Sequence, residues 1–186
     1  MNTPPPAPEW RTTQWFNTQQ PLSLTALRGR PVILTAFQML CPSCVSHSLP
    51  QAQKVRATFR EEDLAVVGLH TVFEHHAAME PQALAAFLHE YRISFPVGVD
   101  APGEGDPLPQ TMRLYAMNGT PTTLLFDRDG VLVRHAFGHL PDLQLGAELA
   151  LLIAGGGSAQ VEAAAAAATG EPGCSDTGCP TPSTGS

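Results

Sequence analysis

The sequence predicts an α/β domain: a central mixed β-sheet with helices on both faces. Three observations carry that expectation. Apolar runs at 32–37 and 64–70 are short and uninterrupted, the pattern of strands buried on both sides. Stretches at about 44–60, 81–91 and 142–153 alternate with them and read as helices. A third apolar run, 122–126, connects to 131–137 through Asp127-Arg128-Asp129-Gly130 and reads as a hairpin.

Taken in order, residues 1–9 are a Pro-rich, extended lead-in, and the aromatic-bearing segment 10–16 begins the fold or packs on its edge. Leu22, Leu24 and Leu27 precede a turn at Arg28-Gly29-Arg30-Pro31, which delivers the strand at 32–37. Pro81 sits in the first turn of the second helix, where its missing N–H costs nothing. A short strand is expected at 95–99, a Gly-, Pro- and acid-rich loop at 100–110, and a short helix at 110–117. The amphipathic stretch 142–153 closes the domain. The organisation expected is therefore a lead-in at 1–9, a domain at 10–154 and a flexible Gly/Ala-rich tail at 155–186, within which 163–168 is briefly helical.

Composition narrows the function classes. With 186 residues and 43% hydrophobic residues the chain can bury a core of ordinary size, and its formal charge of −7 excludes tracking a phosphate backbone. No run approaches the ~18 apolar residues of a membrane-spanning helix, so neither nucleic acid nor membrane is an expected partner. The first eight residues, from Met1 to Pro8, contain neither a basic region nor an apolar stretch, which sets the expected location as cytoplasmic.

The motif that carries chemistry is Cys41-Pro42-Ser43-Cys44, placed between the strand at 32–37 and the following helix. Cysteines three apart at a helix start share a face and are close enough to form a disulfide. There the first meets unpaired backbone N–H groups and the positive end of the helix dipole, which favour the reactive thiolate. A bare CxxC is also half of a zinc site or an inert pair; the strand–CxxC–helix context points instead to thioredoxin-like redox chemistry.

These residues resemble a known family. The segment 27–34 leading into Phe37 and the CxxC is similar to TlpA/ResA-like redoxins of the thioredoxin superfamily, a branch related to alkyl hydroperoxide reductase/thiol-specific antioxidant proteins. Gly119-Thr120-Pro121-Thr122 resembles that superfamily's cis-proline loop, Asp127-Arg128-Asp129-Gly130 its following hairpin, and Gly138 the glycine near the end of the next strand. The similarity spans roughly residues 20–153 and implies a thioredoxin-like fold and thiol–disulfide oxidoreductase activity on protein disulfides, with Cys41 as nucleophile and Cys44 as the resolving cysteine. It implies that Thr120 and Pro121 hold the substrate's backbone beside Cys41, and that the redox-active disulfide serves without any other cofactor or metal. The partners implied are a protein or small-molecule disulfide or thiol and an upstream reductant. The family is usually exported, so it implies a periplasmic location where composition implies the cytoplasm.

Two site positions depart from the family pattern. Leu40 stands where thioredoxins have Trp before the first cysteine, leaving an apolar but not aromatic surface. His47 stands where Glu is common, three residues after Cys44, and could exchange a proton during resolution or simply face solvent.

Other groupings of residues offer alternatives to this one. His70, His75 and His76 are expected to line a loop near the site's rim; a copper or zinc site built from them with Cys41, Cys44 and His47 is the metal-delivery alternative. A peroxiredoxin-like thiol peroxidase needs Thr or Ser three residues before its cysteine, and Gln38 occupies that place. Cys174 and Cys179 in the tail permit a small-loop disulfide. A flexible tether of ~20 residues reaches ~25 Å at near-millimolar effective concentration, so the pair is a candidate redox relay with Cys41. Metal capture by that pair and a tail without catalytic role stand as its alternatives.

Overall fold

The computed structural model describes residues 4–168. Six strands form one sheet: β1 (Thr12–Phe16), β2 (Val32–Phe37), β3 (Ala65–His70), β4 (Val97–Asp100), β5 (Thr122–Phe126) and β6 (Leu132–Phe137), in the order β1-β4-β3-β2-β5-β6. β2, β3 and β4 are mutually parallel. β1 runs antiparallel to β4, β5 to β2, and β6 to β5, so the sheet is mixed. β2 and β3 are buried at every position, which explains why their sequences lack an apolar–polar alternation.

The two parallel crossovers carry α1 (Leu49–Thr58) and α2 (Pro81–Glu90). They pack on one face of the sheet with α4 (Asp142–Ile153), where Leu49, Leu84, Leu88, Leu145 and Leu149 close over Ile33, Phe37, Val66 and Phe95. The opposite face is covered by Trp10, Leu24, Leu27, Tyr115 and Met112 of α3 (Gln110–Leu114) over Leu34, Val67, Leu124 and Phe126. Among the described residues no helix is long and apolar enough to cross a membrane.

Two glycines are required by geometry. At Gly68 a Cβ would lie 2.9 Å from Val97 Cγ2 and 3.1 Å from Phe95 Cε2, so the close approach of β3 to the 95–97 segment needs the missing side chain. Gly130 has φ +79° and closes the β5–β6 turn, in which Asp127 Oδ1 accepts from the Asp129 and Val131 N–H groups at 2.9 Å each. A buried carboxylate ties a third region together: Asp100 accepts from Thr71 Oγ1 and from the N–H groups of Thr111 and Met112 at 2.8–3.0 Å, joining β4, the segment after β3 and the start of α3.

Several elements differ from the sequence expectation. The 10–16 segment is a full edge strand, β1, with a register shift between Thr12 and Gln14. The strand expected at 95–99 begins at Val97, because Phe95 fills the core and Pro96 has no N–H to give a ladder. The short helix ends at Leu114, and Ala116 adopts φ +49°. Residues 158–168, expected to belong to the flexible tail, form α5 (Ser158–Ala168), which packs on α4 and β6 and buries Val161 and Ala165. Small alanine side chains permit that close approach.

The core packing yields two expectations. Gly68→Ala lowers unfolding free energy by about 1–3 kcal/mol in urea titrations, through overpacking against Val97 and Phe95. His70 is 1% exposed, neither ring nitrogen has a hydrogen-bond partner among the described residues, and its ring lies 5.4 Å from that of Phe37. Burial disfavours its cationic form and pulls its pKa down from 6.5 to about 4. The unfolded chain therefore binds a proton that the folded chain refuses. The stability this group preserves is complete above pH 6.5 and is lost as pH falls toward 4, by up to about 3 kcal/mol. His70→Leu flattens the stability–pH curve across that window.

Candidate active site

Strand β2 ends at Phe37 and the chain turns at once, with the Cys41 N–H donating to the Gln38 carbonyl at 3.2 Å. Gln38 is 1% exposed: its amide nitrogen reaches Glu74 at 3.3 Å and its amide oxygen accepts from the Phe73 N–H at 3.3 Å. This side chain fastens the turn bearing the cysteines to the segment after β3. The sequence reading considered Gln38 only as a replacement for a hydroxyl; its buried, double-ended amide is a role visible only in three dimensions.

Cys41 and Cys44 are joined in a disulfide, with Cα atoms 5.2 Å apart. The two sulfurs are unequal. Cys44 is fully buried, whereas Cys41 is half-buried at the surface. The Cys44 N–H donates to Cys41 Sγ at 3.2 Å, and the Thr120 carbonyl oxygen lies 3.5 Å from the same sulfur. A donor fixed on Cys41 Sγ favours negative charge there, as expected of a sulfur at the start of a helical segment.

The helix expected at 44–60 does not begin as an α-helix. Cys44–Ser48 is a π-helical turn, and the α1 segment proper starts at Leu49. Pro50 supplies the reason: inside an α-helix its ring would crowd the Ser46 carbonyl and it could not donate to it, and widening the turn removes both conflicts. The Ser48 hydroxyl instead donates to the Cys44 carbonyl at 3.3 Å. Pro50 was the signal in the sequence for this change.

The widened turn alters where His47 points. Cys44 and Ser48 face the core, while His47 is exposed, 2.7 Å from the Ser46 hydroxyl and with its ring 5.1 Å from that of His139. Its contacts are with Ser46 and His139 rather than with either sulfur.

Thr120 and Pro121 are brought to Cys41 by the sheet itself. β5 runs antiparallel beside β2, pairing Ala36 with Thr122, so the residues just after β2 meet those just before β5. The Thr120–Pro121 peptide bond is cis. The loop is held by the Thr122 hydroxyl donating to the Gly119 carbonyl at 2.7 Å and by the Gly138 N–H donating to the Pro121 carbonyl at 2.8 Å. Phe137, paired with Thr122, places its ring beside Gly119, and it is 58% exposed; Leu40, beside Cys41, is 56% exposed. Two large apolar side chains thus stand in water, Leu40 next to Cys41 in the chain and Phe137 beside the loop whose Thr120 carbonyl faces the sulfur. The sequence reading noted Leu40 and missed Phe137, whose outward orientation follows from strand alternation at an edge.

The histidine cluster divides. His70 is buried in the core rather than lining the rim, because strand alternation puts it on the Phe37 side of β3, while His75 and His76 are exposed in the following loop. No group of three or more potential metal ligands comes together among the described residues. Cys174 and Cys179 lie outside the described residues.

Comparison with known proteins agrees with this geometry. The family model described as AhpC/TSA matches residues 5–135, more than half of the chain. A solved thioredoxin-like superfamily protein is 57% identical, with a TM-score of 0.78, over 81% of this chain and 97% of the other. A thiol-disulfide isomerase from Corynebacterium glutamicum is 44% identical, with a TM-score of 0.76, over 80% of this chain and 96% of that one. The thiol-disulfide oxidoreductase ResA of Bacillus thuringiensis is 23% identical over 124 residues, covering 67% of this chain and 64% of ResA. NHL repeat-containing protein 2 of Bos taurus is 33% identical over 90 residues, or 47% of this chain; the match spans only 12% of that longer protein. With its β-sheet order, its helices on both faces and its disulfide at the end of a central strand, the chain belongs to the AhpC/TSA family and has a thioredoxin-like fold.

Proposed function

We propose that the chain is a thiol–disulfide oxidoreductase whose Cys41–Cys44 pair exchanges with disulfides of protein partners. The observation that carries this reading is the inequality of the two sulfurs: Cys41 is reachable, receives the Cys44 N–H at 3.2 Å and faces the Thr120 carbonyl at 3.5 Å, while Cys44 is buried behind it. The oxidoreductase and isomerase names of its relatives support the same reading.

In the reduced protein, the Cys41 thiolate attacks one sulfur of a partner's disulfide. A mixed disulfide forms and the partner's other sulfur departs as thiolate, taking up a proton. Cys44, deprotonated, then attacks Cys41 Sγ, which restores the Cys41–Cys44 disulfide and releases the partner as a dithiol. An upstream dithiol reductant returns the pair to its starting state, and the opposite sequence oxidises a partner. Direction follows from the redox poise of the compartment and of the reductant. The backbone of Thr120 and Pro121 supplies a polar edge against which a substrate's extended chain is laid. Leu40 and Phe137 supply apolar contact on either side, so the surface suits a folded or extended polypeptide better than a small polar disulfide.

The peroxidase alternative needs a hydroxyl aimed at the cysteine sulfur. Gln38 holds that position in the chain, and its amide is engaged with Glu74 and Phe73. That engagement favours disulfide exchange over peroxide reduction.

Cys41→Ser reduces insulin-disulfide reduction with dithiothreitol to the uncatalysed background, and Cys44→Ser accumulates mixed disulfides at Cys41, detected by mass spectrometry after acid quenching. Retention of activity in Cys41→Ser would refute the assignment. Replacing Leu40 or Phe137 by Ser lowers kcat/KM for a protein disulfide by about tenfold, the scale of losing one well-placed apolar contact, and leaves the rate with oxidised glutathione unchanged.

A further inference from the structure

We infer that His47 and His139 together form an exchangeable site for a divalent transition-metal ion of the Zn²⁺ class, next to the turn that carries the disulfide. The site uses neither sulfur, so it is independent of the exchange reaction.

The two side chains come from different parts of the fold. His47 lies in the π-helical turn Cys44–Ser48 and His139 in the segment between β6 and α4, and their ring centres are 5.1 Å apart with the planes tilted by 45°. Chelation requires that separation. An imidazole nitrogen binds Zn²⁺ at about 2.0–2.1 Å, with its ring centre about 1 Å further out, so two rings at a tetrahedral angle hold their centres about 5 Å apart. Both histidines are exposed, which gives an ion a path of entry.

Hydrogen bonding decides which nitrogen of His47 is free. The Ser46 hydroxyl donates to the Pro42 carbonyl at 2.8 Å, and its oxygen lies 2.7 Å from His47 Nδ1. A hydroxyl has one proton, and here it is committed to Pro42. The neutral imidazole must therefore donate from Nδ1 to Ser46, which leaves the lone pair on Nε2. A ligating histidine is oriented in this way, with one ring N–H tied back to the protein and the other nitrogen open to the metal.

The backbone on both sides is fixed in advance. Gly138 N–H donates to the Pro121 carbonyl at 2.8 Å and the Leu140 carbonyl accepts from Gln51 Nε2 at 2.7 Å, so His139 is held between two anchors. On the other side, the Cys41–Cys44 disulfide and the Ser48 hydroxyl, bonded to the Cys44 carbonyl at 3.3 Å, hold the turn bearing His47. Asp142, three residues after His139, already accepts from Gln51 through Oδ1 at 2.8 Å and from Lys54 through Oδ2 at 3.0 Å. The donors offered are therefore two imidazoles and no free carboxylate, a set that suits Zn²⁺, Cu²⁺ or Ni²⁺ and not Mg²⁺ or Ca²⁺. Water fills the remaining positions, so the ion exchanges freely. When bound, it ties the turn after Cys44 to the segment that holds Pro121.

The test titrates the full chain with zinc chloride in a calorimeter, with the cysteines oxidised and any remaining thiol alkylated by N-ethylmaleimide. The expected result is saturable binding that His47→Ala and His139→Ala each weaken by at least about tenfold. Ser46→Ala weakens it by about tenfold, the usual cost of losing a group that orients a ligand. His75→Ala and His76→Ala, introduced together, leave that binding in place. Circular dichroism verifies that each variant is folded. Equal affinity in the wild-type chain and His139→Ala would overturn the site, as would loss of binding in the His75/His76 variant or no binding up to millimolar Zn²⁺. A second measurement needs no substitution: nitrogen–proton correlation spectra of the histidine rings in the oxidised, metal-free chain at mildly alkaline pH. They should show His47 protonated at Nδ1, with its Nε2 signal and a ring nitrogen of His139 shifting on addition of Zn²⁺. A proton on His47 Nε2, or signals from the two rings that do not respond to Zn²⁺, refutes the assignment.

Discussion

The antiparallel pairing of β2 with β5 at the middle of the sheet is the constraint from which the site follows. Ala36 lies opposite Thr122, and so the turn that leaves β2 and the loop that enters β5 arrive at the same sheet edge, although Cys41 and Thr120 are 79 residues apart. β3 presses on β2 from the other side over six paired residues, from Val32 with Ala65 to Phe37 with His70. A register slip of one residue in either pairing would turn Phe37 and Ile33 out of the core and carry the cysteines away from the Thr120 carbonyl. Sheet register is thus both a stability requirement and the means by which Cys41 meets the Thr120–Pro121 loop.

Around that frame, buried polar groups do the aligning. Gln38 fixes the turn before Cys41, and Gln51 joins α1 to the start of α4 through the Leu140 carbonyl and Asp142 at 2.7 and 2.8 Å. Each is inside the protein with its hydrogen bonds made, so each resists displacement by water. The outer rim is the reverse: Leu40 and Phe137 stand in solvent, where burial against a partner would be favourable. The site therefore combines a rigid interior with an apolar, accessible border, an arrangement suited to transient contact with other polypeptides. His70 is the exception to this order, a buried imidazole with no polar partner among the described residues, tolerated because it stays neutral.

Much of this was legible in the chain. Uninterrupted apolar runs marked β2 and β3, the Asp127–Gly130 turn marked the β5–β6 hairpin, and the helix Asp142–Ile153 appeared with the bounds its pattern suggested. What escaped the reading has identifiable causes. β1 carries little apolar periodicity, because an edge strand owes its place to pairing with β4. The π-helical turn follows from Pro50 within an otherwise helical run. α5 is an alanine-rich segment whose ordering depends on the surface that α4 and β6 present to it.

The sequence by itself determined the local chemistry: which segments are strands or helices, and that two cysteines share a helix start after a central strand, because periodicity, turn residues and short spacings act over a few residues. Only the tertiary structure decided what those groups face. It made Cys41 the accessible sulfur and Cys44 the buried one, turned His47 toward His139, sealed His70 in the core, exposed Phe137 beside the Gly119–Pro121 loop and packed α5 on α4 and β6. Those outcomes depend on contacts between residues far apart in the chain, set by sheet order and register.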